Sequence, residues 1–158
     1  MSIHYIEKRI ADSDKTVSAT SFTALTGCSF GFNLPADEAP AHVELSVKAV
    51  VSVDDANAQV DFDLELDGTR LGNTRGLATV ANPTLGSGDD PIRLTHLNFS
   101  AVVPAMAAGN HTLKLVGKAS AMGVVGTVKA GAATWPIIMS VAAQRQLTSM
   151  LELKEGAR

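Results

Sequence analysis

The chain has 158 residues, with 13 basic and 16 acidic side chains and a net charge of -3. That length supports one domain with its own core, unaided by metals or disulfides, and a 46% hydrophobic content argues against disorder of the whole chain. There is no basic stripe to release counterions from phosphate, which sets nucleic acid aside, and no apolar run approaches the ~20 residues of a membrane span.

In chain order, residues 1–13 precede the first convincing strand and read as an arm before a domain of residues 14–158. The start, Met1-Ser2-Ile3-His4-Tyr5, lacks the basic and apolar regions of a signal peptide. The chain is therefore expected to be made in a reducing cytoplasm. The lone Cys28 lies in an apolar alternating run and reads as a buried, inert thiol.

Residues 17–25, rich in Ser and Thr, form a weak strand candidate. Residues 29–34 alternate Phe30, Phe32 and Leu34 with Ser29, Gly31 and Asn33. In residues 42–53 the apolar set is Val43, Leu45, Val47, Ala49, Val51 and Val53, with Glu44, Ser46, Lys48 and Ser52 between most of them. That period of two is a strand with one buried and one wet face. Val60, Phe62, Leu64 and Leu66 repeat it against Asp61, Asp63 and Glu65. Asp67-Gly68 then signals a hairpin turn.

Residues 71–90 contain four Gly, one Pro and two Asn, and are expected to form a long functional loop. Residues 92–103 alternate with a phase slip near Thr95-His96 that reads as a bulge, and residues 104–108 as one helical turn. Residues 112–118, 122–128, 137–143 and 147–153 complete the strand candidates. Turn residues punctuate these runs as in β-sandwiches.

Chemistry-bearing patterns are sparse. His4, His42, His96 and His111 lack zinc-site spacing and read as solvated or backbone-bonded rings. From Asp63 the chain opens like a calcium loop, but position twelve is Thr74 and no helices flank it. Asp61, Asp63 and Glu65 thus read as the wet face of a strand, with a shared surface cation as the remaining option. No Gly-x-Ser-x-Gly, P-loop or dinucleotide fingerprint occurs. No enzymatic activity and no cofactor are expected. Trp135, beside Pro136, reads more readily as a core plug than as a ligand platform.

The order of features in residues 21–34, 43–53, 60–68, 104–115 and 145–153 resembles the small jelly-roll proteins of tailed-phage virions. These are head decoration (cement) proteins and related head-fibre or spike-like domains. The run Gly109-Asn110-His111-Thr112-Leu113-Lys114-Leu115 carries most of the likeness. The resemblance covers most of residues 15–153 and brings no catalytic residues with it.

It implies an all-β, antiparallel, jelly-roll-like β-sandwich with an extended N-terminal arm. It further implies a structural protein on the capsid surface that binds the major capsid protein or other virion proteins and stabilises the shell. A homo-oligomer is expected, a trimer above others. With no shaft segment ahead of the domain, decoration is favoured over a fibre. A receptor- or carbohydrate-binding tip, using loop 71–90 and Trp135, is the first alternative; a tail-tube or baseplate component is another. Partner binding falls to Ile3, Tyr5 and Ile6 of the arm, laid against a neighbour's sheet, and to Trp135. On this reading residues 1–10 are dispensable for folding.

Overall fold

The computed structural model describes residues 3–55, 57–82, 94–131 and 135–145. Among these described residues there are eleven strands: β1 (Ile3–Ile10), β2 (Lys15–Val17), β3 (Thr23–Leu34), β4 (Ala41–Val53), β5 (Gln59–Leu66), β6 (Thr69–Arg70), β7 (Ala78–Ala81), β8 (Leu94–Met106), β9 (Gly109–Ala119), β10 (Gly126–Lys129) and β11 (Ile137–Arg145). They form two antiparallel sheets, as the alternation requires.

Sheet A is built around β4, which pairs with β8 on one side and with β11 and then β10 along the other. β1 pairs with β11, and β2 with β10. Sheet B runs β3–β9–β5, with β6 and β7 laid end to end against the far side of β5. Three interrupted strands, β1/β2, β6/β7 and β10/β11, therefore each act as one. Counted that way, eight strands give the orders 1-8-3-6 and 2-7-4-5, the two Greek keys of a jelly roll.

The facing sheets bury Val43, Leu45, Val47 and Val51 of β4 against Val60, Phe62 and Leu64 of β5, together with Leu113, Leu115, Ile137, Met139 and Val141. Each such side chain contributes roughly 1.5–3 kcal/mol by leaving water. The breaks in β1/β2 and β10/β11 lie side by side. Asp14 joins them, its Oδ1 accepting from the amides of Ala130 and Gly131 at 2.8 Å each. Those backbone bonds hold its carboxyl below the usual range.

Several elements depart from the sequence reading. Residues 3–10 are not a free arm but the edge of sheet A, paired along their length with β11. Ile10 is buried, Ile6 packs against the core, and Lys8 Nζ donates to the Ser29 carbonyl at 2.6 Å. The segment has ample local reason to fold, because the apolar side chains at positions 6 and 10 face the core. Residues 104–106 extend β8 instead of forming a helical turn.

The bulge of β8 lies at that same place. The ladder is continuous from Ser52 opposite Leu94 to Val43 opposite Val103, then shifts before Ala41 opposite Met106. Pro104 has no amide to donate and sits where the ladder slips. The apparent slip at Thr95-His96 arises because Leu94 is an exposed apolar residue on the outer face. Loop 71–90 contains β7 and a turn bridged at Asn73 and Gly76; its residues 83–90 lie outside the described residues, as does the strand expected at 147–153.

Candidate functional surface

The outer face of sheet A is assembled by register. Tyr5, Ala142, Glu44 and Val102 form one cross-strand row, Glu7, Ser140, Ser46 and Ser100 the next, and Arg9, Ile138, Lys48 and Asn98 a third. The middle of this face is floored by small side chains, and the Ser46 and Ser140 hydroxyls hydrogen-bond across β4 and β11. The result is an open depression of about 580 Å³, rimmed by Tyr5, Glu7, Glu44, Lys48 and Asn98. Tyr5 donates its hydroxyl to Glu7 Oε2 at 2.7 Å. That bond raises the phenol's pKa.

A second depression of about 350 Å³ shares Lys48 and Asn98 with the first and is lined by Val50, His96, Trp135 and Pro136. Val50 faces outward yet is buried. The β10–β11 break places Trp135 and Pro136 beside it.

The residues singled out in the sequence separate here. Tyr5 is 59% exposed and Trp135 43% exposed, and both belong to this one face. The core-plug reading of Trp135 fails, because the β10–β11 excursion carries it onto the outer surface. Ile6 points the other way, into the core, as strand geometry demands of Tyr5's neighbour. Ile3 begins β1, its backbone opposite Gln144.

The acidic row of β5 overturns the wet-face reading. Asp61 and Asp63 are buried, with the Asp63 side chain 0% exposed. Asp63 Oδ1 accepts from the amides of Leu64 and Gly72, and Oδ2 from the Arg70 guanidinium at 2.8 Å. Asp61 accepts from the Thr79 hydroxyl at 2.6 Å and pairs with Lys118 at 3.7 Å. The covering segment is residues 71–77, whose ends bond to β5 through Leu71 N to Leu64 O and Leu77 N to Phe62 O. Gly76 permits the close approach: its φ is +75°, and a Cβ there would strike the Phe62 carbonyl. Phe22 lies under Arg70 and Lys118, with charge centres 4.1 and 4.9 Å from the ring centre.

At one end of the sandwich the hairpin signal is realised. Asp67 and Gly68 have φ of 50° and 84°, the backbone a tight hairpin needs. Asp67 Oδ1 accepts from the Thr112 amide at 2.7 Å, and Oδ2 lies 2.7 Å from His111 Nδ1. His111 Nε2 is 2.9 Å from the Ala107 carbonyl. Carboxylate and carbonyl both accept, so the doubly protonated ring satisfies both contacts. Burial pushes the His111 pKa down, but the bonds to Asp67 and Ala107 and the Asp67 charge outweigh it and raise it. Burial pushes Asp67 up, and the bonds from His111 and Thr112 outweigh that and lower it. Cys28 is buried, and burial raises its thiol to about 11.

The sequence reading also missed Lys15, buried in β2 with its ammonium 2.8 Å from Asp12 Oδ1. Its place between apolar-facing Val17 and the strand interruption at 11–14 carried no signal beyond an isolated cation.

No family model matches this chain, and no curated protein matches it. Among solved structures it is similar to part of dimeric latent PorU from Porphyromonas gingivalis, with a TM-score of 0.52 and 11% identity; the match covers 92% of this chain and 13% of that one. It is also similar to a chain of infectious bursal virus derived T=1 particles (TM-score 0.46, 18% identity, 93% and 37% of the two chains). A third is the CBM36-1 domain of a multidomain xylanase from the hindgut metagenome of Trinervitermes trinervoides (TM-score 0.42, 10% identity, 86% and 96%). The chain thus spans a small part of the first and about a third of the second. At these identities the likeness is one of fold: a β-sandwich.

Proposed function

We propose that this chain is a non-enzymatic virion protein that docks on the outside of a phage-type capsid and stabilises it, contacting the major capsid protein or a neighbouring virion protein. The observation that carries this reading is the open outer face of sheet A, where exposed Tyr5 and Trp135 flank a floor of small side chains. Tyr and Trp are the residues that most often anchor protein interfaces, and a shallow floor admits another chain's protruding side chains. A protein that recognises only the assembled shell stabilises it by mass action.

Amine-reactive cross-linking of the intact particle, read by mass spectrometry, tests this. Lys48, on the rim of the depression, is expected to link to a shell protein. Links confined to Lys114 and Lys118 on sheet B, or absence of the chain from the particle, would remove this face from the account.

A second reading has an observation of its own. Tyr5 and Trp135 share their face with Glu7, Glu44 and Asn98, a mixture of aromatic planes and hydrogen-bonding groups that a saccharide can use. A glycan-array signal that disappears in Tyr5→Ala would favour a carbohydrate-binding tip over a shell-binding protein.

A further inference from the structure

The four sheet edges are not treated alike. β1 carries Glu7, Lys8 and Arg9, and the β1/β2 edge is broken at 11–14. β3 has no charged residue, but it is bulged between Ala24 and Ser29, and Lys8 caps the Ser29 carbonyl. β6 and β7 are only two and four residues long. Charge, bulging and shortness are the devices by which edges avoid pairing with other chains. β8 has none of them before Pro104. From Leu94 to Val103 it runs in unbroken register, contains no Asp, Glu, Lys or Arg, and exposes Leu94 at 47% and Val102 at 53%. Among the described residues β8 pairs only with β4, and no described strand lies along its other side.

We infer that the free edge of β8 pairs antiparallel with β8 of a second copy of this chain, about a twofold axis at Asn98. An uncharged strand meets itself without like-charge repulsion, which a strand such as β1 would not. The outward side chains are also arranged symmetrically. With Asn98 on the axis, Leu94 of each copy lies directly across from Val102 of the other, and His96 across from Ser100. The two exposed aliphatic residues of each β8 thereby cover one another as cross-strand pairs, and Leu97 meets Phe99 on the core side. Such an interface is self-complementary. It joins the two A sheets into one, and it brings the two outer-face depressions, each of which includes Asn98, to either side of the axis. The twofold takes the place of the threefold expected from the resemblance. It does not depend on the shell-binding reading, because it is measured on the purified chain alone.

Sedimentation equilibrium of the full chain is expected to give a dimer mass. The double variant Leu94→Lys with Val102→Lys places like charges opposite each other twice and is expected to sediment as a monomer. Leu94→Lys with Val102→Glu places opposite charges across the same pairs and is expected to restore the dimer, which no other register predicts. Far-UV circular dichroism checks that both variants fold. Asn98→Cys, the on-axis position, is expected to form a disulfide-linked dimer under mild oxidation, because facing residues of antiparallel strands bring their Cα atoms to about 4.5–5.5 Å. A monomeric or trimeric wild type, a dimer that survives the two lysines, or Asn98→Cys that stays unlinked would each overturn the proposal.

Discussion

The outer faces of the two sheets meet solvent differently. Sheet B is roofed by its own chain: residues 71–77 and Phe22 cover Asp61 and Asp63, and every oxygen of Asp63 is met by a protein donor. Among the described residues nothing covers the centre of sheet A, which has a serine floor and exposed aromatic residues at the rim. A buried carboxylate is tolerated only when fully partnered, so the sheet B face is committed to holding the domain together. The sheet A face carries little of that burden and is free to meet another molecule. Substitutions on the two faces should therefore separate stability from binding.

The largest effect belongs to sheet B. Asp63→Ala leaves the Gly72 amide without its acceptor and the Arg70 guanidinium without its carboxylate, with the Asn73 carbonyl still in reach. Breaking a buried charged pair by removing one partner costs roughly 3–5 kcal/mol; with Arg70 a third exposed, about 3 kcal/mol is expected. Urea denaturation measures it. A loss under 1 kcal/mol would mean that the roof over sheet B is dispensable, and the contrast between the faces would collapse.

This carboxylate also marks where sequence reasoning stopped. Alternation in 42–53 and 60–66 reveals strands and their two faces, because side-chain direction has a period of two whatever surrounds the strand. It does not reveal which polar face is wet. Asp61 and Asp63 look solvated because their partners, Arg70, Gly72, Thr79 and Lys118, come from β6, the roof, β7 and β9. Residues 3–10 look like an arm because Glu7, Lys8 and Arg9 dilute their alternation, yet Ile6 and Ile10 keep the core phase. Asp67-Gly68 was legible because that turn is specified locally by two residues with positive φ. The outer-face surface was half legible. Tyr5 and Trp135 stand out as rare aromatics, but only the β1–β11 pairing and the break before β11 put them on one face.

A smaller effect is expected at the end of the sandwich, where neither face is involved. His111 has a raised pKa in the fold, so the stability it adds is fully present below its unfolded pKa, about 6.5, and is lost as pH rises through the higher folded value. Asp67 has a lowered one, so its share is present above its unfolded pKa, about 3.9, and is lost as pH falls through the lower folded value. Melting temperature is expected to fall as pH rises above about 6.5 and through the raised His111 pKa. In His111→Asn that slope should flatten, with a loss of about 1 kcal/mol at pH 6, since Asp67 is half exposed and its pairing is screened. An unaltered slope in the variant would assign that loss to other groups.

The smallest effect on stability, and the sharpest test of the contrast, lies on sheet A. Tyr5→Ala removes a side chain that is mostly in water and whose hydroxyl bonds to exposed Glu7; a change within about 0.5 kcal/mol is expected, as for other surface positions. Its effect on capture by particles should be far larger, on the order of 30-fold, the weight of an interface anchor worth about 2 kcal/mol. Trp135→Ala separates two roles for one residue. If Trp135 serves a partner, its melting temperature stays near that of the parent while capture falls. If it serves as a lid on Val50, stability falls by 2 kcal/mol or more and capture by correctly folded protein is unchanged. The second outcome would return Trp135 to the core and leave Tyr5 as the aromatic anchor of this face.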